Sequence, residues 1–240
     1  MIIVHTMTKD YFKLPRLFVD HSLKDQGSIT LETEQTHYLS NVLRKNTGDL
    51  IRLFDGENGE CLYEITKLAK KQAELSFKEK LHEQPDERRK IHFIFTPIKK
   101  QRLSIMIEKM VELGVTDFHP VLTQNTDICK LKTDRVNAQI FEAAEQCERL
   151  SIPKLHDLQK ITDFFDSKPD FPIFSCIERF ESKSTDIQRQ EDNFGFLIGP
   201  EGGFTEDEKK FLSIHTHAID LGNTVLRCET AAIKALILLS

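Results

Sequence analysis

No two of the five cysteines, Cys61, Cys129, Cys147, Cys176 and Cys228, are spaced as C-x-x-C. An odd count without that spacing argues against a disulfide framework and a zinc knuckle. It suits a reduced, cytosolic compartment. No uninterrupted apolar run is long enough to span a membrane. The opening stretch "MIIVHTMTKDYF" lacks a basic segment followed by a long apolar core, so no signal peptide is expected. Basic charge is not in excess either: 33 Lys+Arg stand against 38 Asp+Glu, a formal net charge of −5. Proteins that coat nucleic acid non-specifically are usually basic, so any nucleic-acid contact must run through local patches. There is no Gly-Lys-Ser/Thr loop and no G-x-G-x-x-G turn, which excludes the common triphosphate and dinucleotide cradles. Internal repeats, low-complexity tracts and a metal-ligand set are also absent from the expectation.

What is present is the patterning of a folded chain, with 39% hydrophobic and 30% charged residues over 240 positions. That length allows one large domain or two modest ones. The chain changes character at 82–90, "HEQPDERRK", a polar run with a proline that reads as a linker. Before it, over 1–81, short strand candidates dominate: "RLFVD", "SITLE", "DLIRLFDG", "ECLYEIT" and "AELSF". The dipeptides Asp55-Gly56 and Asn58-Gly59 are hairpin signals. One helix, "TEQTHYLSNVL", interrupts these strands, and a small β-barrel is expected. Over 91–240, strands such as "IHFIFTP", "VTDFHPVLT", "FPIFSCI" and "FGFLIG" alternate with helical patterns such as "RLSIMIEKMVELG", which ends at Gly114 as a C-terminal cap. That alternation predicts an α/β domain, a parallel sheet with helices on both faces.

The stretch "FGFLIGPEGGFTEDE" ends a strand in a turn holding Gly199, Pro200, Gly202 and Gly203. Such glycines either serve a tight connection alone or cradle a ligand. Thr205 and Glu208 form a capping box for the following helix. Glu206, Asp207 and Glu208 place three carboxylates at its positive end, where a phosphate would be repelled. A nucleoside without phosphate, carrying positive charge, fits this turn better. A second turn, "IDLGNTVLRCETAAIKAL", runs from strand through Gly222 into a helix that opens with Glu229 and small residues. Arg227 precedes that helix, where its dipole disfavours a cation. It either pairs with Glu229, stays solvated, or has a function. The last helix is apolar on nearly every face, which implies burial in a core or an oligomer interface.

Two glycine turns in this order, "GPEGGFTEDE" and "LGNTVLRCETA", resemble those of the RsmE family, SPOUT-class methyltransferases of ribosomal RNA. "PRLFV", "HYLSNVLRKNTGD", "LFDG", "EKMVELGV" and "AAEQCERLSIP" extend the resemblance over nearly the whole chain. Asn223 and Thr224 depart from the family's usual Pro-Arg, and Cys228 stands for a threonine. Met110 and Val111 stand where Ala and Thr are common.

The resemblance implies an N-terminal PUA-like barrel for RNA and a C-terminal SPOUT domain with a trefoil knot. It implies a cytoplasmic homodimer that binds S-adenosylmethionine and methylates N3 of a uridine in 16S rRNA of the small ribosomal subunit. Leu197, Ile198, Gly199, Pro200, Gly202, Gly203, Leu221, Gly222, Leu226 and Thr230 are the expected cofactor residues. Arg227 and Glu201 are the catalytic candidates, Glu201 with the alternative of bracing the knot. Arg16, Arg44, Lys45, Lys99 and Arg102 are the candidate RNA contacts. Arg88, Arg89 and Lys90 read as linker. Methyl transfer from a sulfonium needs no metal. Cys228 sits at a helix start that favours a thiolate, with Glu229 opposing it, and a structural role is expected. The other readings are a SPOUT enzyme for tRNA or ribose, a relative that binds RNA without catalysis, and a dinucleotide-dependent oxidoreductase, which lacks its fingerprint.

Overall fold

The structure is a computed structural model that describes residues 11–25, 27–86, 89–177, 189–190 and 192–240. Nearly all of the stretch read for a signal peptide, and Arg88 of the basic run, lie outside the described residues. The chain divides into two compact units, Met1–Asp86 with Glu148–Ser151, and Glu87–Cys147 with Ile152–Ser240.

In the first unit β1 (Arg16–Phe18), β2 (Ile29–Leu31), β3 (Leu50–Phe54), β4 (Glu60–Leu68) and β5 (Ala73–His82) form one sheet in the order β1-β3-β4-β5-β2. β1 is parallel to β3 and the other pairs are antiparallel. Alternating side chains bury Leu17, Ile51, Leu53, Tyr63, Ile65 and Leu75 in one core. The helix expected over 33–43 is α-helical only at α1 (Thr33–His37) and continues as a wider π-type turn over Tyr38–Val42. There the Leu43 N–H donates to the Tyr38 carbonyl five residues back, and the Ser40 hydroxyl donates to the Thr36 carbonyl. A serine bonded back in this way competes with regular helix bonding.

Arg16 does not face solvent as an RNA contact would. Register sets it opposite Arg52, and both guanidinium groups turn to the buried Glu60. Its Nε lies 2.6 Å from Glu60 Oε1, and its guanidinium lies 3.6 Å over the Phe54 ring. Burial lowers its pKa, against the opposing pull of Glu60. A long basic side chain near a sheet edge read as surface because the sequence does not show strand register.

The second unit is built on parallel strands: β6 (Ile91–Phe95), β7 (Asp117–Leu122), β8 (Lys154–Leu155), β9 (Gln159–Lys160), β10 (Ile173–Cys176), β11 (Phe194–Ile198) and β12 (His217–Ala218). The order is β12-β10-β11-β6-β7-β8, with β9 paired to β7, and every pairing is parallel. α2 (Lys100–Glu112), α3 (Thr133–Gln146), α4 (Ile161–Asp166), α5 (Glu206–His215) and α6 (Cys228–Leu239) complete it.

Helices cover both faces of this sheet. Phe93, Phe95, Phe194, Phe196 and Ile198 pack with α2, α3 and α6. The alternate positions Ile94, Val121, Ile173 and Leu197 pack with α4 and α5. Strands buried on both sides read as continuous apolar runs, and β11, "FGFLI", is buried at all five positions. α2 stops where expected, with Gly114 at φ 96° after its last turn.

Candidate functional site

In open parallel sheets, ligands settle beyond the carboxyl ends of the strands. Here the carboxyl end of β11 runs into the turn Gly199–Gly203, and the carboxyl end of β12 runs into the turn around Gly222. The two turns frame a cleft of about 560 Å³, within the usual range for small-molecule sites.

The first turn is held from three sides. The Gly203 N–H donates to the Pro200 carbonyl, and Gly203 takes φ 69°, a region costly to other residues. The capping box at Thr205 and Glu208 is fully formed. Glu208 also accepts the Gln124 N–H at 2.7 Å, and Asn125 Nδ2 donates to the Gly203 carbonyl at 2.9 Å. The loop after β7 thus clasps the turn, a contact that the local sequence signals of the turn did not reveal. A Cβ on Gly199 would sit 2.5 Å from the Phe204 ring, so the turn packs too closely for any side chain there.

In the second turn Gly222 has φ 97°, and its N–H donates to Asp220 Oδ1. Arg227 is the N-cap residue of α6, extended at φ −68° and ψ 153°, with its carbonyl accepting the Ala231 N–H. The two turns meet at Cys228, whose thiol donates to the Gly199 carbonyl at 3.5 Å. Burial, with Glu201 and Glu229 nearby, pushes that thiol up to about 11. It is a packing group rather than a nucleophile, as expected.

Most of the expected cofactor residues line the cleft: Ile198, Gly199, Pro200, Gly202, Gly203, Leu221, Gly222 and Leu226. Leu197 does not. Strand alternation sends its side chain to the opposite face, into the apolar cluster with Ile94 and Val121. Thr230 does not either. It is exposed on the first turn of α6, and Ala231 takes the lining position. Ile177 and Ile219, at the ends of β10 and β12, also line the cleft. Sequence reading missed them because only the strand order places them there.

Both catalytic candidates line the cleft. Among the described residues, Arg227 makes no ion pair, with Glu229 or any other acid. Glu229 Oε2 is itself buried without a hydrogen-bond partner. Glu201 is ion-paired with Arg102, which therefore belongs to the cleft rather than to a free basic patch. Lys99 is exposed at the N-cap of α2. In the first unit Arg44 is exposed at φ 52°, and Lys45 is half-buried. Arg89 is half-buried with its guanidinium 5.1 Å from the Phe194 ring centre.

Residues 85–240 match the RNA methyltransferase domain family, and residues 31–78 match the RNA methyltransferase PUA domain. A ribosomal RNA small subunit methyltransferase E from Rickettsia conorii is 30% identical over 232 residues, covering 93% of this chain and 94% of the relative. The protein of the same name from Bacillus subtilis is 26% identical over 93% of this chain and 94% of its own length. A methyltransferase from Legionella pneumophila, solved with its bound cofactor SAM, superposes with a TM-score of 0.83 at 29% identity, covering 95% and 97% of the two chains. The ribosomal RNA small subunit methyltransferase E of Neisseria gonorrhoeae, solved bound to S-adenosyl methionine, gives a TM-score of 0.82 at 27% identity, covering 93% and 95%.

Proposed function

Because the chain belongs to the ribosomal RNA small subunit methyltransferase E family, we propose that it transfers a methyl group from S-adenosylmethionine to N3 of a uridine in 16S rRNA of the small ribosomal subunit. The observation that carries this reading is the chemistry of the cleft. Ile198, Leu221 and Leu226 offer apolar surface to an adenine ring, and Glu201 offers a carboxylate to a cation. The neighbouring N-terminus of α5 is already capped and carries Glu206, Asp207 and Glu208, so it does not invite a phosphate. Such a lining fits a nucleoside bearing a sulfonium. When bound, S-adenosylmethionine supplies an electrophilic methyl group.

The protein's residues do the rest. They hold the target ring in line, a task of positioning. They also reduce the cost of the N3 anion, about 3 kcal/mol for a group roughly two pKa units above neutrality. Arg227, a cation without an acidic partner at the cleft, is assigned that second role. Glu201, held by Arg102, is assigned to the cofactor side. Lys99, Arg44 and Lys45 are the cations assigned to RNA phosphates. The test is methyl transfer to 16S rRNA, free and in small subunits, with the product nucleoside identified. Methylation of tRNA or of ribose oxygens instead would replace this reading.

Gly199→Ala is expected to weaken S-adenosylmethionine binding by at least about tenfold. The new Cβ displaces Phe204, a buried ring that fixes the turn. Gly202→Val, whose Cβ would meet Asn125 at 3.3 Å, is expected to act in the same direction. Calorimetric titration measures both, with far-UV circular dichroism as a control for folding. Wild-type affinity in a folded Gly199→Ala variant would remove the cofactor from this cleft.

The homodimer is part of the same proposal. α6 buries Ala232, Ala235, Leu236 and Leu239, yet leaves Ile237 57% exposed. Val225, just before the helix, is 70% exposed. Sedimentation equilibrium at micromolar concentration is expected to give twice the chain mass of 27.8 kDa. A monomer would return these side chains to ordinary surface. No helix among the described residues is long and apolar enough to cross a membrane, and a cytoplasmic site of action accords with a ribosomal substrate.

A further inference from the structure

The parallel register of β6 and β7 sets His92 opposite Asp117 and Ile94 opposite His119. Asp117 and His119 are two apart on one strand, so their side chains share a face. His92 Nδ1 lies 3.1 Å from His119 Nε2 and 3.8 Å from Asp117 Oδ2. One ligand atom from each of the three residues lies within 4.8 Å of the other two, and all three residues are buried.

The surroundings orient this set. His156 Nε2 bonds Asp117 Oδ1 at 2.8 Å, and the Thr116 hydroxyl donates to Oδ2 at 2.9 Å. Phe171 stacks on His92 at 3.8 Å and His156 stacks on His119 at 4.0 Å. Burial drives His119 down to about 3 and lowers His92. Burial alone would raise Asp117, but the bonds from His156 and Thr116 outweigh it and hold it at about 2. Neutral imidazoles and an ionised carboxylate are the states in which such groups bind metal.

Among the described residues, Asp117 is ion-paired with no lysine or arginine, and its charged-group partners are the imidazoles of His156 and His92. One proton alone can lie between His92 and His119. We propose that His92, Asp117 and His119 form a site for a divalent transition metal that pins β6 to β7. Two nitrogens and one oxygen suit Zn²⁺, whereas Mg²⁺ and Ca²⁺ favour oxygen ligands. Two histidine nitrogens on a tetrahedral zinc stand roughly 3.3 Å apart, close to the spacing present. His156 then serves as the group that orients the Asp117 carboxylate. None of the three ligands lines the cleft, so the ion is structural and the proposal stands apart from the methyl-transfer reading.

The test uses full-length protein stripped with chelator, dialysed against Zn²⁺ and, separately, Co²⁺. One ion per chain is expected, with a Co²⁺ spectrum free of thiolate charge transfer. That criterion separates this site from the five free cysteines. Zn²⁺ at a hundredfold excess over Kd should raise the Tm by about 5–10 °C. His119→Leu should lose both effects, and His156→Gln should keep the stoichiometry with affinity weakened by about 10–100-fold. No stoichiometric binding, a thiolate-type Co²⁺ spectrum, or unchanged binding in His119→Leu would overturn the proposal. Should His119→Leu fail to fold, the wild-type stoichiometry and Co²⁺ spectrum decide alone.

Discussion

Glu60→Ala is expected to destabilise the first unit by about 3–5 kcal/mol, the cost of breaking a buried ion network by removing one partner. The side chains of Arg16, Arg52 and Glu60 are 3%, 5% and 2% exposed. Register places the two arginines side by side on β1 and β3, and like charges directly opposite repel. Glu60 on β4 offsets both, one oxygen toward each guanidinium. Without it, two cations remain in the sheet; Arg52 keeps Glu148, a partner that is itself 44% exposed. Arg16→Met with Glu60→Leu and Arg52→Met should recover most of the loss, since well-packed apolar groups often replace a buried ion cluster without penalty. Urea unfolding followed by circular dichroism measures both variants. A loss below about 1 kcal/mol for Glu60→Ala would mean that water reaches the network.

Arg227→Ala is expected to slow methyl transfer by about 10²-fold or more while cofactor affinity changes only a few-fold. A cation before a helix N-terminus is locally unfavourable, so stability is a poor reason for it. The bland alternatives were a solvated arginine and an ion pair with Glu229, and among the described residues there is no such pair. Instead, the residue lines the cleft between the two turns. A guanidinium there stabilises charge on the ring as N3 loses its proton, or fixes a phosphate through paired hydrogen bonds. Arg227→Lys should rescue poorly, because an ammonium lacks the planar fork. Single-turnover methylation of small subunits and cofactor titration on the same preparations separate the two effects. A rate within a few-fold of wild type would leave Arg227 as a solvated helix end.

The parts of this fold legible in the sequence were those set by local chemistry. The Thr205–Glu208 capping box, the Gly114 stop and the apolar run "FGFLI" each have a cause within a few residues, and each stands as expected. What escaped depends on contacts distant in the chain. β8 and β9, two residues each, exist only because β7 offers them an edge. Arg16 read as surface until register placed it over Phe54. Leu197 read as a cofactor residue because it adjoins the turn, although strand alternation turns it to the other face. The grouping of His92 with Asp117 and His119 was not expected from the sequence, because His92 lies 27 residues from His119 and only the sheet brings them together.

The thiol that joins the two glycine turns has a consequence for reactivity. With its pKa raised to about 11, Cys228 is a thiolate in on the order of 10⁻⁴ of molecules at neutral pH. Electrophiles and peroxides act on the thiolate, so this wall of the cleft resists them even though a sulfur sits in it. Cys129 and Cys147 are exposed and take such damage first. Oxidative stress would thus mark the protein on its surface before it disturbs the cleft, and a covalent inhibitor aimed at Cys228 would meet an almost inert target.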